Sequence, residues 1–245
     1  MSQVLSKNPQ NAGFSAAFKN SLLTAMGNRL CMAYGNISSE KYVLDQFELI
    51  FQWLEGGKNR RVDLTVGIPG NYVNEDDGQC TFVPDSTDYA KIIGHIDKIF
   101  TPTLDARNIS DRIWVGGIFD FNSNVSIMVN EENGSSPTAA IVGSSCFTEH
   151  AHQSKTSFEM DLLLDGNDPL LQDVFDELEN QLDNFSAHYD QNLTRHVRER
   201  IFEEPAMEEA LRDREVEEQA KLSDDPRMQE AFIEPGQRQG ISGNK

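Results

Sequence analysis

Two histidines set one residue apart, His150 and His152 in the stretch Phe147–Lys155 (FTEHAHQSK), are the first residues in this chain whose types could do chemistry. On an extended strand, side chains at i and i+2 share a face, so the two imidazoles could meet one cation. Zinc wants a third or fourth ligand in tetrahedral array. The next position on that face is Ser154, and Glu149 would point away. The remaining histidines, His95, His188 and His196, fall in expected helices without an ExxH or HExxH context. Asp120 or Glu159 could complete a site only through the fold. A metal-dependent hydrolase using His150 and His152 is therefore an alternative, and neither a metal nor a cofactor is assigned.

Other reactive types are present but poorly arranged. Ser144, Ser145 and Cys146 follow Gly143 in VGSSCF, yet the stretch is not G-x-S-x-G and no helix is expected after it. A Cys146–His150 pair is imaginable, but a small buried thiol is the commoner use of such a cysteine. VGIPGN, VGGIFD and NGSSP are glycine-containing turns that match neither phosphate-binding signature. Gly116–Gly117 inside a strand reads as a bulge or a close backbone approach. NEDDG lacks the spacing of a calcium loop. Arg195, Arg198 and Arg200 share a helical face, where acidic neighbours favour ion pairs over a phosphate groove.

The charge narrows the partners. Of 245 residues, 40 are acidic and 21 basic, a formal net charge of −19 that would repel a nucleic-acid backbone or an anionic membrane. Residues 1–160 hold 18 acidic and 12 basic residues, whereas residues 161–245 hold 22 and 9, so the chain's character changes near 160. Three widely spaced cysteines, Cys31, Cys80 and Cys146, fit reduced thiols. The amino terminus carries no signal-peptide pattern and no segment is apolar enough to span a membrane. A cytoplasmic location, or one within a virion, is expected.

The elements that must position these residues follow from periodicity. Phe14, Phe18, Leu22, Met26 and Leu30 recur every four residues and predict a first helix. A second is expected over SSEKYVLDQFELIFQWLEGG, capped by Ser38 or Ser39 and stopped at Gly56–Gly57. Alternation of Val62, Leu64, Val66 and Ile68 marks a strand, and QCTFVP a second. A helix from Asp85 or Ser86 to near Thr101–Pro102 follows. Four further strands are expected in RIWVGGIFDFN, NVSIMVN, TAAIVGSSCF and TSFEMDLLLD, with Asn122–Ser123 as a tight hairpin turn between the first two. Short polar connections predict an antiparallel meander. After Asp168 and Pro169, a heptad-like seam runs through Phe175, Leu178, Leu182, Phe185, Tyr189, Leu193 and Val197. Pro205 ends it, and the tail holds one apolar cluster around Phe232 and Ile233.

The expected fold is α+β. It comprises a helical hairpin over 1–60, an antiparallel sheet core over 61–167 with one inserted helix, an acidic helical arm over 168–222 and a flexible or partner-ordered tail over 223–245. The expected function is a non-enzymatic assembly protein, such as a phage neck, tail or capsid-associated component. It would act through protein partners, as a homo-oligomer or a larger assembly. Phe175, Leu178, Leu182, Phe185, Tyr189, Leu193, Val197, Phe232 and Ile233 would form the partner interface. An acidic DNA mimic that inhibits a nucleic-acid-binding enzyme is the second alternative.

Overall fold

The computed structural model describes residues 2–5, 13–74, 80–119, 121–132, 134–153, 159–184 and 189–190. Ten strands and five α-helices occur there in the order β1 (Gln3–Val4), α1 (Gly13–Ala17), β2 (Arg29–Tyr34), α2 (Lys41–Glu55), β3 (Arg61–Ile68), β4 (Gly70–Asn74), β5 (Cys80–Pro84), α3 (Ser86–Ala106), β6 (Ile113–Phe119), β7 (Asn124–Asn130), β8 (Ser136–Gly143), α4 (Glu149–Gln153), β9 (Asp161–Asp165), α5 (Leu170–Asn184) and β10 (Tyr189–Asp190). Eight strands make one mixed sheet in the order β1-β9-β8-β7-β2-β3-β6-β10, while β4 and β5 form a separate hairpin. The protein is thus a mixed α/β fold with a large central sheet.

The expected amino-terminal helical hairpin is not there. Residues 13–22 form α1 and one π-helical turn, Phe18–Leu22, closed by the Leu23 amide donating to the Phe18 carbonyl at 2.9 Å. Leu30, counted in the helical stripe, lies instead in β2. That strand is buried on both faces, so it reads as an unbroken apolar run and carries neither period clearly. Gly27 marks the break. A Cβ there would stand 2.6 Å from Cγ of Met128 and 2.7 Å from the Val129 carbonyl oxygen.

The antiparallel meander is also corrected. β2 pairs parallel with β3, and β3 parallel with β6. α2 connects the first pair; the β4–β5 hairpin and α3 connect the second. Parallel neighbours need long crossovers, and these two helices supply them. β6 and β7 do not form the hairpin expected around Asn122–Ser123, because β2 and β3 lie between them. From β7 the chain does meander: β7 pairs antiparallel with β2 and β8, and β8 with β9.

Helices cover both faces, as parallel strands demand. On one side, Phe14, Phe18, Tyr34, Phe47 and Phe147 form an edge-to-face and stacked aromatic cluster, with ring centroids 4.8–5.9 Å apart. On the other, Leu171, Phe175 and Leu178 of α5 pack on Cys31, Ala33, Ile127 and Ala140. Leu182 is partly buried against the same cluster. The first three seam residues of the expected interface therefore contact the chain's own sheet. Tyr189 lies in β10, paired with Ile118. Phe185, Leu193, Val197, Phe232 and Ile233 lie outside the described residues, as does most of the acidic arm. Among the described residues no helix is long and apolar enough to cross a membrane.

Candidate functional site

Strand order reverses between β7 and β2. The chain steps outward from β2 to β3 and β6, then returns to β7 on the other flank of β2 and steps outward through β8 and β9. In open α/β sheets, such a reversal leaves a crevice outside the carboxyl ends of the parallel strands. Register makes the edge concrete: Tyr34 at the end of β2 faces Asn124 at the start of β7, Val125 faces Val142, and Gly143 at the end of β8 faces Asp161.

Backbone and side chains knit these ends together. The Gly35 amide donates to the Ser123 carbonyl at 2.8 Å and lies 3.2 Å from Oδ1 of Asn124. Nδ2 of Asn124 donates to the Ser144 carbonyl at 3.2 Å. Two loops then run side by side: the Phe147 amide donates to the Asn36 carbonyl at 3.0 Å, and the Ser38 amide to that of Phe147 at 3.2 Å. Glycine is required at the centre of this edge. A Cβ on Gly67 would collide with the Phe121 carbonyl oxygen and stand 2.7 Å from that of Gly35.

Beside this edge, under the amino-terminal half of α5, is a cavity of about 410 Å³. Its floor is apolar, from Val125, Val142, Val174 and Leu178. Its rim is polar, with Asn122, Ser123, Asn124 and Gln181. Ser123 Oγ donates to Gln181 Oε1 at 3.0 Å, and Gln181 Nε2 to Glu177 Oε1 at 2.9 Å. Asn122 is exposed and in none of these bonds.

Three polar pairs lie along these strand ends, one exposed and two buried. Ser144 Oγ lies 2.5 Å from Glu159 Oε2 and accepts from the Met160 amide at 3.0 Å. Ser145, buried, donates its hydroxyl to Asp161 Oδ2 at 2.6 Å. Tyr34 and Ser126 share a buried hydrogen bond of 2.6 Å, and burial pushes the Tyr34 phenol well above its ordinary range.

A second cavity, of about 450 Å³, lies at the opposite edge among Arg29, Arg61, Asp63 and Glu179. Its two central arginines are already paired. Arg29 pairs with Asp63 at 2.5 Å and Glu179 at 3.3 Å, and Arg61 with Glu131 at 2.9 Å. Arg112 donates to the carbonyls of Leu54 and Gly57, both at 2.7 Å. The Arg29–Glu179 pair fastens α5 to the sheet.

The histidine pair is separated. The stretch from Glu149 is helical, so i and i+2 diverge rather than share a face. His150 is exposed, whereas His152 is buried and stacked on Phe14 with centroids 3.5 Å apart. His95 bonds the Ile37 carbonyl at 2.8 Å. Among the described residues, no three His, Cys, Asp or Glu side chains stand together as metal ligands. Ser145 is likewise framework, its hydroxyl committed to Asp161, while Cys146 is a half-buried thiol in no disulfide. The Ser144–Glu159 pair is legible only after the β8–β9 register is known, since 15 residues separate its members.

No family model matches this chain, and no curated protein resembles it. Several solved structures do. A phospholipase D family member, Nuc, from Salmonella typhimurium is 12% identical over 78% of this chain and 96% of its own, with a TM-score of 0.45. Phosphatidylserine synthase from Haemophilus influenzae is 16% identical, with 77% and 39% covered and a TM-score of 0.49. NucT from Helicobacter pylori is 10% identical, with 77% and 96% covered and a TM-score of 0.41. The chain thus spans the length of Nuc and NucT but about two fifths of the synthase. The expected non-enzymatic virion or assembly component has no counterpart among these three structures, which include a phospholipase D family member and a synthase, and that expectation is not kept. The apolar seam that suggested assembly is covered, over its first residues, by the chain's own sheet.

Proposed function

We propose that this chain is a hydrolase or transferase domain whose working site is the crevice at the carboxyl edge of β2. The carrying observation is the reversal of strand order there, with a cavity of about 410 Å³ and the convergent amides and hydroxyls of Asn122, Ser123, Asn124 and Gln181. An apolar floor with few polar groups at its rim is what a small-molecule site requires. The apolar floor would hold the body of a substrate, and the amides would fix its polar end.

The test uses the full chain with p-nitrophenyl acetate, p-nitrophenyl phosphate and bis(p-nitrophenyl) phosphate. Turnover of at least one is expected. Asn122→Trp places a large side chain at an exposed lining position and should cut that turnover by roughly tenfold or more by misplacing the substrate, with an unchanged unfolding midpoint. No turnover of any ester, or turnover indifferent to Asn122→Trp, would overturn the reading.

A further inference from the structure

Resting on that reading of the crevice, we infer that Ser144 is an acyl-accepting nucleophile and Glu159 its general base. Activated hydroxyl nucleophiles are recognised by a base within hydrogen-bond reach. Ser144 Oγ lies 2.5 Å from Glu159 Oε2, and the Met160 amide fixes that oxygen from a third direction at 3.0 Å. Ser144 is exposed, unlike Ser145, whose hydroxyl is buried on Asp161. Gly143 precedes it in the crevice lining, and the side-chain amide of Asn124, another lining residue, holds its carbonyl at 3.2 Å. A Cβ at Gly143 would collide with Asp161 and with the Met160 carbonyl oxygen, so the close approach of β8 to β9 that makes the pair needs a glycine here.

The surroundings select the electrophile. Asp173 and Glu177 line the cavity, with no lysine or arginine in the described lining. An anionic phosphodiester would be repelled, whereas an uncharged carboxylic ester would not. In the reaction, Oγ bonds the carbonyl carbon as its proton passes to Glu159. The carbonyl π pair moves to its oxygen. Collapse breaks the ester C–O bond, and the leaving alcohol takes the proton back from Glu159. Water then cleaves the acyl-serine with the same base, restoring both residues.

A fluorophosphonate probe and p-nitrophenyl acetate test this on the full chain, with the adduct mapped by mass spectrometry. The expected result is a single adduct on Ser144, lost in Ser144→Ala, and a p-nitrophenolate burst slowed roughly 100-fold in Glu159→Gln, the scale of a lost general base. Glu159→Gln preserves the hydrogen bond and so remains decisive if Ser144→Ala misfolds. Ser144 left unlabelled in the folded chain, or a burst unaffected by Glu159→Gln, overturns the inference. Turnover that survives Ser144→Ala but falls in Asn122→Trp would sink the nucleophile alone and leave the crevice standing. Absence of all ester turnover would sink the crevice reading, while the adduct would still judge Ser144.

Discussion

Residues of the same type do different things here because burial differs. Ser144 and Ser145 are neighbours in the chain, but alternation across a strand end leaves one exposed with its hydroxyl on Glu159 and sends the other to a buried carboxylate. The cysteines divide the same way. Burial pushes the Cys31 thiol up to about 12, with the nearby Arg29 guanidinium opposing. The half-buried Cys146 is raised too, again by burial, while hydrogen bonds to the backbone pull the other way. The thiolate is the reactive form. Native protein at pH 8 treated with iodoacetamide should therefore carry label on Cys146 well before Cys31, as peptide mapping would read. Equal labelling would mean that β2 is not covered by α5. None of this division was visible in VGSSCF or RLCMAY, because burial is set by what packs on the strand.

At the scale of elements, α5 decides the geometry of the crevice. Its apolar stripe follows helical spacing, and that stripe was legible from the heptad-like run. Its destination was not. A period gives the face of a helix and says nothing of whether its own sheet or another chain covers it. Here Leu171, Phe175 and Leu178 are buried against β2, β7 and β8 residues, and Glu179 pairs with Arg29. Leu178→Ala should cost about 2–5 kcal/mol of stability in urea unfolding, the range for a buried leucine that leaves a cavity. Because Leu178 lines both cavities, the same change should also slow any crevice-dependent turnover. A cost near zero would show that α5 does not dock through this stripe. α2 gives the converse case, since its stripe of Val43, Phe47, Ile50 and Leu54 and its stop at Gly56 both lie where the spacing put them.

For the whole molecule, charge and topology act separately. A net charge of −19 gives long-range self-repulsion that favours expansion. Raising NaCl from about 10 mM to about 150 mM shortens the Debye length from about 30 Å to about 8 Å. The unfolding midpoint should therefore rise by a few degrees, measured by circular dichroism. A fall would mean that exposed pairs such as Lys41–Asp45 at 2.7 Å outweigh the repulsion. The sequence by itself determined the acid excess, the end of α2 at Gly56, β3, the start of α3, and the strand character of β6 to β9, whereas α2 begins at Lys41 with Glu40, not Ser38 or Ser39, as its N-cap. Each of these depends on neighbours a few positions apart. Only the tertiary structure decided that β2 is a strand, that β3 and β6 run parallel to it, and that Asn122–Ser123 ends at a crevice rather than in a hairpin. The reason is physical: a doubly buried strand has no amphipathic period, and strand neighbours are chosen by burial across the whole sheet. Ser144 and Glu159 meet for that reason as well, brought together by the register of β8 on β9.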